Sequence, residues 1–128
     1  MDIPKDLLYT RTHEWVRIEN DTATVGITDH AQEQLTDIVF VETPQVGKKA
    51  AQNKEIGVVE SCKIAADIYS PLSGEVIATN DRLANEPDLL NKDPYGEGWI
   101  FQIRISDQSE LKSLLDADAY QALIAEEK

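Results

Sequence analysis

The chain has 128 residues, 41% of them hydrophobic, and carries 24 acidic against 12 basic side chains for a net charge of −12. A field of that sign repels nucleic acid and anionic lipid, and it speeds encounter with basic surfaces on partner proteins. Cys62 is the single cysteine, which excludes an internal disulfide, and no apolar run reaches the length of a membrane helix. The first residues read as neither a signal nor a transit peptide, so a cytoplasmic location is expected, with a mature mitochondrial form as the other option. One domain over 1–128 is the simplest organisation at this length.

Residues 1–9 form a polar lead-in that Leu7, Leu8 and Tyr9 can anchor. Val16 and Ile18 alternate with polar residues, as do Ala23, Val25 and Ile27, and Asn20-Asp21 between them suits a tight turn. This predicts a hairpin. Thr28 or Asp29 can then cap a short helix that places Ala31 and Leu35 on one face. The apolar run Ile38 to Val41 predicts a buried strand, and Lys48 to Lys54 a loop or short edge strand.

A second hairpin follows. Gly57 to Val59 leads up to Lys63, and Ile64 to Tyr69 leads away, before Pro71 and Gly74 mark another turn. Glu75 to Thr79 alternates again, and Asn80 can cap a helical turn through Leu83. Residues 85–98 are rich in Asn, Pro, Asp and Gly and predict a long irregular loop. Trp99, Phe101, Ile103 and Ile105 share one strand face, and Trp15 and Trp99 read as core aromatics. The tail, about 107–126, turns helical: Asp107 and Glu110 form a capping-box pattern, and Tyr120, Leu123 and Ile124 a helical face. Short strands, frequent turns and helices at the edges predict a mainly β sandwich or barrel.

Catalytic patterns are sparse. There is no Gly-rich phosphate loop, and Ser61 has no obvious base beside it. His13 and His30 lack the spacing of a zinc site and read as surface or capping residues. Lys63 stands apart by position, because functional side chains concentrate on loops held by rigid scaffolds. A reactive lysine would need a depressed pKa, whereas the neighbours Glu60 and Asp67 favour its charged form. The residues alone leave open a carried group on Lys63 and a plain interaction module.

The stretch Val58-Val59-Glu60-Ser61-Cys62-Lys63-Ile64-Ala65-Ala66-Asp67-Ile68-Tyr69-Ser70-Pro71-Leu72-Ser73-Gly74-Glu75-Val76 resembles the lipoylation segment of the glycine cleavage system H proteins. His13-Glu14-Trp15-Val16, Val25 to Gln32, Asp37 to Val41, Asn91, Pro94-Tyr95 and Gly98-Trp99-Ile100 resemble further segments of that family in the same order. The family resemblance implies a flattened β-barrel or sandwich of the biotinyl/lipoyl-carrier type, with short peripheral helices and a C-terminal helical segment. It also implies lipoic acid joined to Lys63 by an amide, and no catalysis by the chain itself. The implied partners are a pyridoxal-phosphate glycine decarboxylase, a tetrahydrofolate-dependent aminomethyltransferase, dihydrolipoyl dehydrogenase and a lipoyl-attaching enzyme. A monomer is expected, with neither nucleic acid nor membrane as a partner.

By the same resemblance, Glu60 and Ser61 serve recognition by the attaching enzyme, and Glu14 and Asp67 line a cleft for the aminomethyl-loaded arm. The sequence departs from the family at Cys62, usually a small aliphatic position; packing as a small hydrophobe is the favoured reading, ahead of thiol exchange with a lipoyl disulfide. A biotin carrier would frame its lysine with methionines, yet Met1 is the sole Met; a 2-oxo acid dehydrogenase lipoyl domain would read Asp-Lys-Ala, and this chain reads Cys-Lys-Ile. The alternative function is an H-like protein that relays lipoate to other enzymes.

Overall fold

Alternating side chains form the first hairpin where the sequence puts it. In the computed structural model, which describes residues 2–127, strand β2 (Glu14–Glu19) pairs antiparallel with β3 (Thr22–Ile27), and Asn20 takes the left-handed conformation at the turn. Trp15 faces Gly26 across this pair. A Cβ on Gly26 would lie 2.6 Å from the indole nitrogen, so the glycine is what lets the indole lie flat over β3.

The remaining strands are β1 (Leu8–Tyr9), β4 (Ile38–Glu42), β5 (Lys49–Ala50), β6 (Glu55–Ser61), β7 (Ala65–Tyr69), β8 (Gly74–Thr79) and β9 (Phe101–Ile105). One sheet has the order β1-β2-β3-β9-β8-β5, and the second the order β4-β6-β7. Every pairing is antiparallel, and the sheets stack without closing into a barrel. The core between them is built from the inward residues of both, among them Val16, Val25, Val59, Ile68, Val76 and Ile103. Burial of such side chains contributes about 1.5–3 kcal/mol each and is the dominant favourable term here.

A smaller cluster lies on the outer face of the large sheet. Leu7, Tyr9, Trp15, Tyr120 and Ile124 pack there beneath the C-terminal helix α3 (Ala117–Glu126). The Tyr9 and Tyr120 rings stack with centroids 4.7 Å apart, and Tyr9 exchanges two 2.7 Å backbone hydrogen bonds with Leu115. Strand β2 is therefore covered on both faces: Trp15 points to this cluster, and Val16 to the main core.

The structure corrects four expectations. Strand β4 is an edge strand with a register shift between Ile38 and Phe40, so Val39 and Phe40 are about half exposed rather than buried. The 85–98 segment is not wholly irregular: helix α2 (Leu89–Lys92) inserts Leu89 and Leu90 into the core. Trp99 lies before β9 rather than in it and is only partly buried. Glu110 forms no capping box, because its carboxylate accepts from the Ser73 amide at 2.7 Å and the Ser73 hydroxyl at 2.8 Å. Asp107 alone caps the following 3₁₀ segment Gln108–Ser113.

Candidate functional site

Lys63 projects from the tip of the β6–β7 hairpin and is exposed. The tip is stiffened from within. The Ser61 amide donates to the Ile64 carbonyl at 2.8 Å, and the buried Ser61 hydroxyl accepts from the amides of Lys63 and Ile64 at 3.3 and 3.2 Å. Serine suits this position because its short hydroxyl substitutes for a backbone acceptor in tight turns. The tip is also held from outside, since the Cys62 amide donates to the Asp37 carbonyl at 3.1 Å. The Cys62 side chain is exposed, so packing as a small core hydrophobe does not apply. Glu60 and Asp67 are exposed on β6 and β7, and Ile64, Val39 and Phe40 form an apolar margin to the tip strands.

Asp37 is itself anchored by a distant residue. The Asn91 side chain accepts from the Ile38 amide at 3.0 Å and donates to the Gln32 side chain at 3.0 Å and the Thr36 carbonyl at 2.7 Å. It ties helix α1 (Asp29–Leu35), whose N-cap is Thr28, to the start of β4. Asn91→Ala is expected to lower stability by about 2 kcal/mol, because it leaves the Ile38 amide without its acceptor. Hydrogen exchange at the Cys62 amide should quicken in the same variant, which mass-resolved exchange would detect. The neighbouring Pro94 and Tyr95 are anchors as well: the Trp15 indole donates to the Pro94 carbonyl at 2.8 Å, and Arg17 to the Tyr95 carbonyl at 2.9 Å.

Glu14 is no solvated acid. It shares the inward face of β2 with Val16 and is 1% exposed. The Thr10 hydroxyl donates to its Oε1 at 2.6 Å, and the Thr12 hydroxyl donates to the same oxygen. The Tyr69 amide donates to Oε2 at 3.2 Å, so the carboxyl links the large sheet to β7 of the small one. Burial pushes its pKa up to about 7, against these hydrogen bonds, which favour the charged form. A carboxylate offers about four acceptor positions. Among the described residues three hydrogen bonds reach it from other residues, two at Oε1 and one at Oε2.

A groove of about 260 Å³ lies beside these threonines, with Thr10, Arg11, Thr12, Gln52, Asn53 and Leu114 among its walls. Lys63, Glu60 and Asp67 do not line it. The structure thus joins Glu14 to Tyr69, two residues along β7 from Asp67, but leaves Asp67 in solvent while Glu14 is buried. Sequence reasoning did not single out Thr10 and Thr12 as partners of Glu14, although their positions at i−4 and i−2 are a local signal that could have done so.

His30 is buried rather than on the surface or in a capping role, and it meets His13 with ring centroids 4.7 Å apart. His13 and His30 are brought together by the turn before β2 and by α1, which spacing along the chain does not reveal.

Two stacked sheets that hold an exposed lysine on a pinned hairpin tip define a small β-sandwich protein that presents a lysine. The family described as Glycine cleavage H-protein matches residues 7–127. The chain belongs to the glycine cleavage H-protein family, as the sequence resemblance implied. It is 53% identical over 128 residues to the glycine cleavage system H protein of Methylacidiphilum infernorum, covering 100% of both chains. It is 55% identical over 119 residues to that of Thermotoga maritima, covering 93% of this chain and 96% of the relative. Its fold matches the crystal structure of a glycine cleavage system H protein from Mycobacterium marinum with a TM-score of 0.88 at 34% identity, over 96% of this chain and 99% of that one.

Proposed function

We propose that Lys63 carries a lipoyl group in amide linkage and that the chain shuttles the aminomethyl group of glycine from the decarboxylase to the tetrahydrofolate-dependent aminomethyltransferase. Dihydrolipoyl dehydrogenase is the reoxidising partner, and a lipoyl-attaching enzyme the modifying one. The observation that carries this reading is the exposed lysine on a tip whose backbone is fixed by Ser61 and by Asp37. When bound, the lipoyl group supplies a disulfide that accepts a carbon unit together with electrons.

The chain's own residues present and protect. The long unbranched stem of Lys63 gives reach, and the fixed strands give it a rigid base. A tethered group stays near a docked enzyme at an effective concentration on the order of millimolar. Glu60 and Ser61 sit where an attaching enzyme would read the tip, Glu60 by its exposed charge and Ser61 through the turn it imposes. Exposed Val39, Phe40 and Ile64 offer apolar area for a docking enzyme without any rearrangement of the core.

Glu14 and Asp67 are the acids that would receive the cationic amine. Glu14 provides a buried carboxyl whose pKa is pushed up to about 7, and Asp67 a solvent-exposed one on β7, two residues from the Tyr69 amide that Glu14 accepts from. The test is glycine–bicarbonate exchange by the decarboxylase. Protein purified from a lipoate-competent cell should support exchange, and the same chain made without lipoate should not. Equal support from both preparations would overturn the assignment.

A further inference from the structure

We propose that His13, His30 and Glu127 form a binding site for one divalent transition ion of the zinc class. His13 lies in the turn before β2, His30 in the first turn of α1, and Glu127 in the turn that closes α3. Three segments far apart in sequence converge at this point. His13 Nε2 is 3.2 Å from one Glu127 carboxylate oxygen, and His30 Nε2 is 3.4 Å from the other. One donor atom from each residue lies within 4.8 Å of the others.

Two independent observations point to a ligand. The first is an unsatisfied nitrogen: His30 is 6% exposed, and among the described residues its Nε2 has no hydrogen-bond partner. A buried polar atom without a partner is rare and costly, and here it is aimed into the cluster. The second is the support behind His13. Its Nδ1 is 2.8 Å from the Tyr120 hydroxyl, which is 2.7 Å from the Thr28 hydroxyl. Such a relay lets Nδ1–H donate to Tyr120 and leaves the Nε2 lone pair directed at Glu127, the arrangement that commonly orients a metal-binding histidine.

The donor chemistry fits an ion of intermediate softness, since two imidazoles and a carboxylate are a recurrent zinc ligand set. In a tetrahedral site with bonds near 2.0 Å, donor atoms stand about 3.3 Å apart. Each imidazole is already at about that distance from one carboxylate oxygen, a different oxygen for each. The widest pair needs to close by at most about 1.5 Å, and Glu127, at the end of α3 and about one-third exposed, has room to move. Three protein ligands leave a fourth position for water. Bound there, the ion fastens the last turn of α3 to α1 and to the turn that precedes Glu14.

The test titrates Zn²⁺ into chelator-treated, full-length protein carrying Cys62→Ser, so that the exposed thiol contributes no binding. Calorimetry should show one ion per chain, and Co²⁺ in the same protein should give a visible ligand-field spectrum. At a hundredfold excess over Kd, the Tm should rise by roughly 8 °C. Glu127→Gln and His13→Asn should each weaken binding at least about tenfold. Both variants keep the fold, because Glu127 ends a helix and asparagine tolerates the left-handed backbone of His13. No bound ion in the parent protein would overturn the proposal, as would unchanged affinity in both variants.

Discussion

Lys63→Arg is expected to reduce glycine–bicarbonate exchange to the level seen with no carrier added. A guanidinium is not acylated under the conditions that modify a lysine amine, so the variant has a side chain of similar length and charge but no arm. The substitution is structurally mild, because Lys63 is exposed and the turn is held by the Ser61 hydroxyl and by backbone groups. Its effect on stability should stay within about 0.5 kcal/mol. Urea unfolding measured beside the exchange assay separates the two effects. Exchange that persists in Lys63→Arg would mean that the arm is attached elsewhere or is not required.

Glu14→Gln should abolish a loss of folding stability that the wild-type chain suffers as pH rises from about 4.5 to 7. The Glu14 carboxyl titrates near 7 in the folded chain against an ordinary value of 4.5, because burial disfavours its charge. Between those values the folded state binds more protons than the unfolded state. The contribution is therefore fully present below pH 4.5 and is lost as pH rises to about 7. The shift corresponds to about 3 kcal/mol of stability lost across that window. Glutamine cannot ionise, so this share of the slope should vanish in the variant, while the opposite share from His13, whose pKa burial lowers, remains. Its carboxamide oxygen can still accept from the Tyr69 N–H, but its NH2 then meets the Thr10 and Thr12 hydroxyls, which must turn from donating to accepting, a pH-independent cost of about 1 kcal/mol.

The same variant bears on function. A carried ammonium group placed at Oε2 would draw Glu14 into its charged form and form a charge-assisted hydrogen bond. Removing that bond should shorten the lifetime of the loaded carrier roughly tenfold or more, while lipoylation of Lys63 stays normal. An unchanged lifetime would remove Glu14 from the protective role. An unchanged pH slope would mean that the carboxyl titrates in the ordinary acid range.

The sequence showed most clearly those elements whose cause is local. Alternation and Asn20 specify the β2–β3 hairpin, and Thr28 caps α1 as its position predicts, accepting from the Ala31 amide at 3.2 Å. The short edge strand Lys49–Ala50 and the Asn80 cap are equally local. Features set by distant partners were not legible. Helix α2 was hidden by the Asn, Pro and Asp around it, since Leu89 and Leu90 are helical because the core receives them. Val39 and Phe40 look buried by composition, but their strand lies at a sheet edge.

The candidate site divides along the same line. A turn lysine is visible in any sequence, whereas the pinning of its turn by Asp37, and of β4 by Asn91, depends on contacts across the fold. The burial of Glu14 follows from the stacking of the two sheets, which no pattern within Thr12 to Val16 encodes. The meeting of His13, His30 and Glu127 is of this kind too, and short-range spacing argued against it.

A carrier role for this chain requires that Lys63 be the modified residue. Peptide mass mapping of the full chain, expressed in a lipoate-competent cell, should find the lipoyl increment on Lys63 and on no other lysine. An unmodified Lys63, or an increment on Lys48, Lys49 or Lys54, would contradict it.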